Sequence, residues 1–224
     1  MMDMPVAIVE NMQQIDWGAV SAQAEQYKPV FDVVKKTWSR ESLLDIIHGH
    51  IAVPDDTINE AIAARIDEES QVKSLSITSR ENGRLEIHAD TKKIGRVELS
   101  GTVDAFVHDA EQSYMTYTVR ERALKDHGLM SWFFSRISLS MAEKLVGHVE
   151  LSEDLPTTIK GNSVTVDFQE LLRASDIGQT SVQGYNLLDV LRIEEAVPHD
   201  GYVEFRTSLE LPDTLKAVLL QSFL

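Results

Sequence analysis

The sequence predicts an α+β fold in which a long, curved antiparallel β-sheet wraps a buried helix, with an N-terminal helical segment ahead of it. Three observations predict it. Residues 97–108 alternate apolar and polar side chains over twice the length of an ordinary strand. Asn82-Gly83 sits between two alternating runs, as hairpin turns require. Residues 130–146 switch to helical spacing with few charges.

Taken in order, residues 13–50 read as helical. Val30, Phe31, Val33, Val34 and Trp38 form one apolar stripe, and Leu43, Leu44, Ile46 and Ile47 form another beyond a break near Ser39. Val53-Pro54-Asp55-Asp56 then supplies a helix start with an aspartate at the cap, followed by Ile58, Ile62 and Ile66 at four-residue spacing, ending near Glu69. This suggests a division into a helical lead, residues 1–54, and a sheet domain, residues 55–224, with no Pro-, Gly- or Ser-rich linker between them.

Past Val72 the period is two. Leu75 and Ile77, then Leu85, Ile87 and Ala89, flank Asn82-Gly83 as a hairpin, because both turn residues tolerate positive φ. In the next strand Val97, Leu99, Gly101, Val103, Ala105 and Val107 form one row, while Phe106 and His108 fall in the other. After a turn at 109–113, Met115, Tyr117 and Val119 oppose Thr116, Thr118, Arg120 and Arg122. Strands this long twist, and Gly101 in the inner row marks a bend.

The segment from Met130 to Val146 places Met130, Phe133, Phe134, Ile137, Met141 and Leu145 on one stripe, with Trp132, Leu139 and Val146 on a second. A helix apolar nearly all round is buried or faces an apolar ligand. Short strands follow at Val164–Asp167, at Leu191–Val197 and from Val203 to Leu211, with His199-Asp200-Gly201 as the last hairpin turn and Pro212-Asp213 opening a final helix.

Composition excludes several function classes. With 36 acidic and 21 basic residues the chain carries a formal charge of −15, a field that repels nucleic acid and anionic membranes. The short basic groups, Lys35-Lys36 and Lys92-Lys93 with Arg96, are interleaved with acids and read as solvated surface. With no cysteine there are no disulfides, thiolate metal sites or cysteine nucleophiles. No signal-peptide pattern and no 18-residue apolar run is present, which suggests a cytoplasmic protein without a transmembrane segment.

Dinucleotide, phosphate-loop and nucleophile-elbow motifs are all missing. His48-Gly49-His50, with Asp45, has metal-like spacing, but two histidines before and after a glycine read first as a helix terminus. His108-Asp109 has the residue types of a metal-binding doublet, yet it closes a long strand at a turn rather than riding on a helix. No catalytic residue, cofactor or metal is therefore expected, and the chain reads as a non-enzyme.

The order of elements, the Gly161–Leu172 segment and the Asp-Gly turn between the strands of 191–211 resemble the bacterial lipid-binding proteins related to the tubular lipid-binding (TULIP-like) superfamily. The resemblance spans roughly residues 55–212 and is one of pattern. It implies a curved sheet around a long helix with an apolar groove. The expectation is thus non-enzymatic binding of an apolar or lipid-like ligand, with Trp132, Phe133, Ile137, Met141, Leu145, Val103 and Tyr117 as the binding residues. The alternative is an interaction or homo-oligomeric assembly module that uses the apolar tail, where Val218, Leu219, Leu220, Phe223 and Leu224 exceed what a free terminus should show.

Overall fold

The computed structural model describes residues 39–64, 66, 72–92, 95–124, 138–141, 155–182 and 184–221. The α+β class and the antiparallel sheet are observed. The N-terminal stripe at 30–38, and residues 130–137 and 142–146 of the apolar helix, lie outside the described residues.

Helix α1 (Arg40–His48) starts at Ser39, whose hydroxyl accepts from Ser42 N at 3.0 Å, and ends at Gly49 with φ 96°. That termination explains the His48-Gly49-His50 pattern: both histidines are exposed, one at the helix end and one in the following strand. Among the described residues no three His, Asp or Glu side chains are grouped to hold a metal. Residues 50–54, expected as a helix junction, instead form strand β1 (His50–Pro54), which pairs with β11 (Tyr202–Leu209). Five residues with weak alternation carry too little periodic signal to reveal a strand.

Helix α2 (Asp55–Ala63) is shorter than expected, and its N-cap is Pro54 without a side-chain bond. Asp55 does not cap its own helix because Ser79 N donates to Asp55 Oδ2 at 2.6 Å instead. One turn further on, Asn59 Nδ2 donates to Ile77 O at 3.0 Å and Asn59 Oδ1 accepts from Ile77 N at 2.7 Å. Together they occupy the free edge of β2 (Val72–Arg80), a row of groups that would otherwise be open to another strand.

The hairpin of β2 and β3 (Arg84–Thr91) turns through Asn82 (φ 63°) and Gly83 (φ 69°), both in the left-handed region as expected. β3 pairs with β4 (Gly95–His108), and β4 pairs on its other side with β5 (Ser113–Leu124). β5 continues to β7 (Ser163–Asp167) and β6 (Thr157–Lys160), while β8 (Ser181–Val182) and β9 (Tyr185–Asn186) pair, among the described residues, only with each other. At its far end, His108 of β4 pairs with Ile193 of β10 (Leu191–His199), which leads to β11 and β1. One long strand thus carries two hairpins on the same edge. The turn of the second hairpin returns to the first, where Gly201 N donates to Ser79 O at 3.2 Å.

Two bulges redirect the side chains of the long pair. The register slips between Val103 and Ala105, leaving Asp104 as an extra residue in β4. Phe106 and His108 thereby join the row of Val97, Leu99 and Val103, correcting the unbroken alternation that had placed Ala105 and Val107 there. In β5 the slip falls at Arg120, so Arg122 pairs with Leu99 and leaves the row of Thr116 and Thr118. A bulge is invisible to a period-two reading because it inserts one residue without changing composition.

A separate apolar core lies under α1, the short helix α4 (Leu187–Val190) and the terminal helix α5 (Asp213–Gln221). Leu43, Leu187 and Leu219 are fully buried in it. Leu215, Val218, Leu219 and Leu220 pack within their own chain, which accounts for those tail residues without a second copy. Phe223 and Leu224 lie outside the described residues.

Candidate functional site: an apolar cavity against the antiparallel sheet

Both hairpins turn apolar side chains toward a common space. Between them lies a cavity of about 370 Å3. Leu75, Ile77, Leu85 and Ile87 form the β2–β3 wall, Val97, Leu99, Val103 and Phe106 the β4 floor, and Ile159, Val164 and Val166 the β6–β7 side. Ile58 and Ile62 of α2, with Ala196, Val203 and Phe205 of the β10–β11 hairpin, complete the lining. Phe106, brought inward by the Asp104 bulge, packs edge-on against Phe205 with ring centroids 5.1 Å apart and lies 5.3 Å from Phe168.

Three described residues of the lining carry hydroxyls, and each hydroxyl is turned into the backbone. Tyr117 OH donates to Leu85 O at 2.8 Å, Thr91 Oγ1 to Gly95 O at 3.1 Å, and Thr157 Oγ1 to Leu155 O at 3.0 Å. Each hydroxyl proton is thereby committed to the backbone, and the described wall is almost entirely apolar surface. Tyr117 is 2% exposed, and burial pushes its phenol well above its ordinary range.

Gly101 makes that arrangement feasible. The Tyr117 ring crosses β4 at Gly101 to reach Leu85 on β3, and Leu85 is the residue paired with Gly101. A Cβ at 101 would overlap the Thr118 carbonyl and meet the Tyr117 ring at 2.9 Å. The glycine expected as a bend is thus a crossing point for a side chain.

Of the expected binding residues, Val103 and Tyr117 line the cavity. Met141 is 54% exposed and is not among the cavity residues. Trp132, Phe133, Ile137 and Leu145 lie outside the described residues. From the same segment Leu139 lines the cavity; the sequence assigns it to the second apolar stripe of the expected helix rather than to the stripe of Phe133 and Ile137. Ile58 and Ile62 had been legible as an amphipathic face, but nothing in the sequence says which surface that face meets.

His108 and Ser113 bring a nucleophile and a base together, and the surroundings argue for a structural role. His108 Nδ1 lies 2.6 Å from Ser113 Oγ and its Nε2 donates to Leu188 O at 3.0 Å, with Gln169 Oε1 also against the Ser113 hydroxyl. The two are 2% and 1% exposed. Substrate cannot reach a serine so enclosed, and the pair instead ties the end of β4 to α4 and α3 (Gln169–Ala174).

No family model matches the chain, and neither curated proteins nor solved structures give a match. Among the described residues no helix is long and apolar enough to cross a membrane.

Proposed function

We propose that the chain binds an apolar or lipid-like ligand, without transforming it, in the cavity between the curved sheet and helix α2. The cavity itself carries this reading. Protein interiors pack to crystal density, and a void costs stability in proportion to its volume. An apolar concavity of about 370 Å3 that is partly open to solvent keeps its wall in contact with water when vacant. An apolar occupant removes that cost, whereas water finds no free hydroxyl donor among the described lining groups. The volume falls within the usual range for small-molecule sites. The resemblance to tubular lipid-binding proteins points to the same ligand class.

The test is direct. Organic extraction of the purified protein followed by mass spectrometry is expected to release a stoichiometric lipid or acyl species, and the stripped protein to bind a fluorescent fatty-acid probe saturably. No extractable species together with no saturable probe binding would overturn the proposal.

A further inference from the structure

The β5 bulge at Arg120 places one cationic side chain on the inner face of the sheet. Arg122 pairs with Leu99, and paired residues of an antiparallel ladder project to the same side, which for Leu99 is the cavity side. Its Nη1 donates to Asn162 Oδ1 at 3.1 Å, and the same oxygen accepts from the backbone N–H of the cavity residue Leu139 at 3.1 Å. Arg122 therefore stands beside Leu99 and Leu139 at the β6–β7 turn, next to the cavity lining rather than within it.

Its guanidinium is poorly satisfied. Nε is buried with no hydrogen-bond partner, and among the described residues no carboxylate forms an ion pair with it, in a chain where acids outnumber bases 36 to 21. Five described arginines elsewhere do have a carboxylate partner, among them Arg84 with Glu121, Arg192 with Glu210 and Arg206 with Glu195. Burial without a compensating anion holds the Arg122 guanidinium below its ordinary value. A partly buried guanidinium whose Nε lacks a hydrogen-bond partner can receive a planar anion.

We propose that Arg122 receives the anionic head of the ligand, so that the cavity takes a single-chain amphiphile ending in a carboxylate or phosphate. This rests on the apolar-ligand reading of the same cavity. The tail lies between β2–β5 and α2, and the head meets the guanidinium at the β6–β7 end. A volume near the lower end of the range for small-molecule sites favours one chain over a two-chain lipid.

The experiment compares three probes of equal chain length, a fatty acid, an alkyl phosphate and the fatty alcohol, on the delipidated full-length chain and on Arg122→Gln and Arg122→Lys. In the unaltered protein the acid or the phosphate is expected to bind about ten- to a hundredfold tighter than the alcohol, the larger advantage naming the head group. Arg122→Gln removes that advantage while keeping alcohol affinity, which also reports that the cavity is intact. Arg122→Lys keeps part of it, because the charge survives and the fork does not. Equal affinity for all three probes, or an anion preference that survives in Arg122→Gln, overturns the proposal while leaving the apolar-ligand reading standing. Binding of none of the three overturns both.

Discussion

Asn59 presents both ends of its amide to the main chain of Ile77, donating to the carbonyl at 3.0 Å and accepting from the N–H at 2.7 Å. The side chain thus completes the ladder that β2 lacks on its outer edge. Asp55 repeats the contact one helical turn earlier, at Ser79 N. Four residues of helix advance ~6 Å and two residues of strand ~6.8 Å, so a helix running along the edge can place successive polar groups on alternate strand residues.

Replacing Asn59 by Ala leaves the Ile77 amide and carbonyl without partners at a part-buried edge. A loss of about 1–3 kcal/mol is expected by denaturant titration. Because α2 carries Ile58 and Ile62 into the cavity wall, probe affinity should fall in the same variant. An unchanged denaturation midpoint would show that water replaces the amide at no cost.

Gly101→Ala places a methyl group against the Thr118 carbonyl and the Tyr117 ring. Backbone cannot yield as a flexible side-chain end does, so the loss of stability should reach or exceed the upper end of the ~1–3 kcal/mol typical of overpacking. Thermal unfolding reads it. The Tyr117→Phe variant separates the two causes: it removes the bond to Leu85 O alone and should cost only about 0.5–1.5 kcal/mol.

Ala89 lines the cavity from β3. In a filled core, Ala89→Leu would cost about 1–3 kcal/mol. In an open cavity the added carbons enter free space, so the melting temperature of the delipidated protein should hold or rise while probe affinity drops. A drop in stability with unchanged affinity would mean the side chain cannot enter the cavity.

His108 is held neutral by burial, which lowers its pKa against the bond to Leu188 O that favours the charged form. The unfolded chain takes up a proton below about pH 6.5, whereas the folded chain resists it. Stability is therefore fully retained above that pH and declines as pH falls from there toward the lower folded value. Asp109 and Asp189 soften the effect and Arg173 strengthens it. Denaturation midpoints measured across that window should fall in the native protein and fall less in His108→Gln. Parallel slopes would assign the pH dependence to other groups.

Residues whose surroundings are local were legible from sequence. Asn82-Gly83 turns because its own φ angles allow it, and Gly49 ends α1 because a left-handed residue is needed there. Val103 and Tyr117 could be placed on an inner row because the row up to Val103, and the β5 row through Tyr117, runs without interruption. Leu215 to Leu220 could be recognised as apolar, and only the packed fold shows that they meet α1 and α4 of the same chain rather than a second copy.

What the tertiary structure alone decided is which surfaces meet. The inward turn of Phe106 and Arg122 depends on one extra residue in each strand, and that insertion follows from the register against the partner strand, not from the composition of either. Asp55 left the helix cap predicted for it because the N–H of Ser79, 24 positions on, takes its carboxylate. Alternation reports how side chains divide between two faces, but the choice of face after a bulge, and the partner a polar group finds across the fold, are set by long-range contacts that no local period encodes.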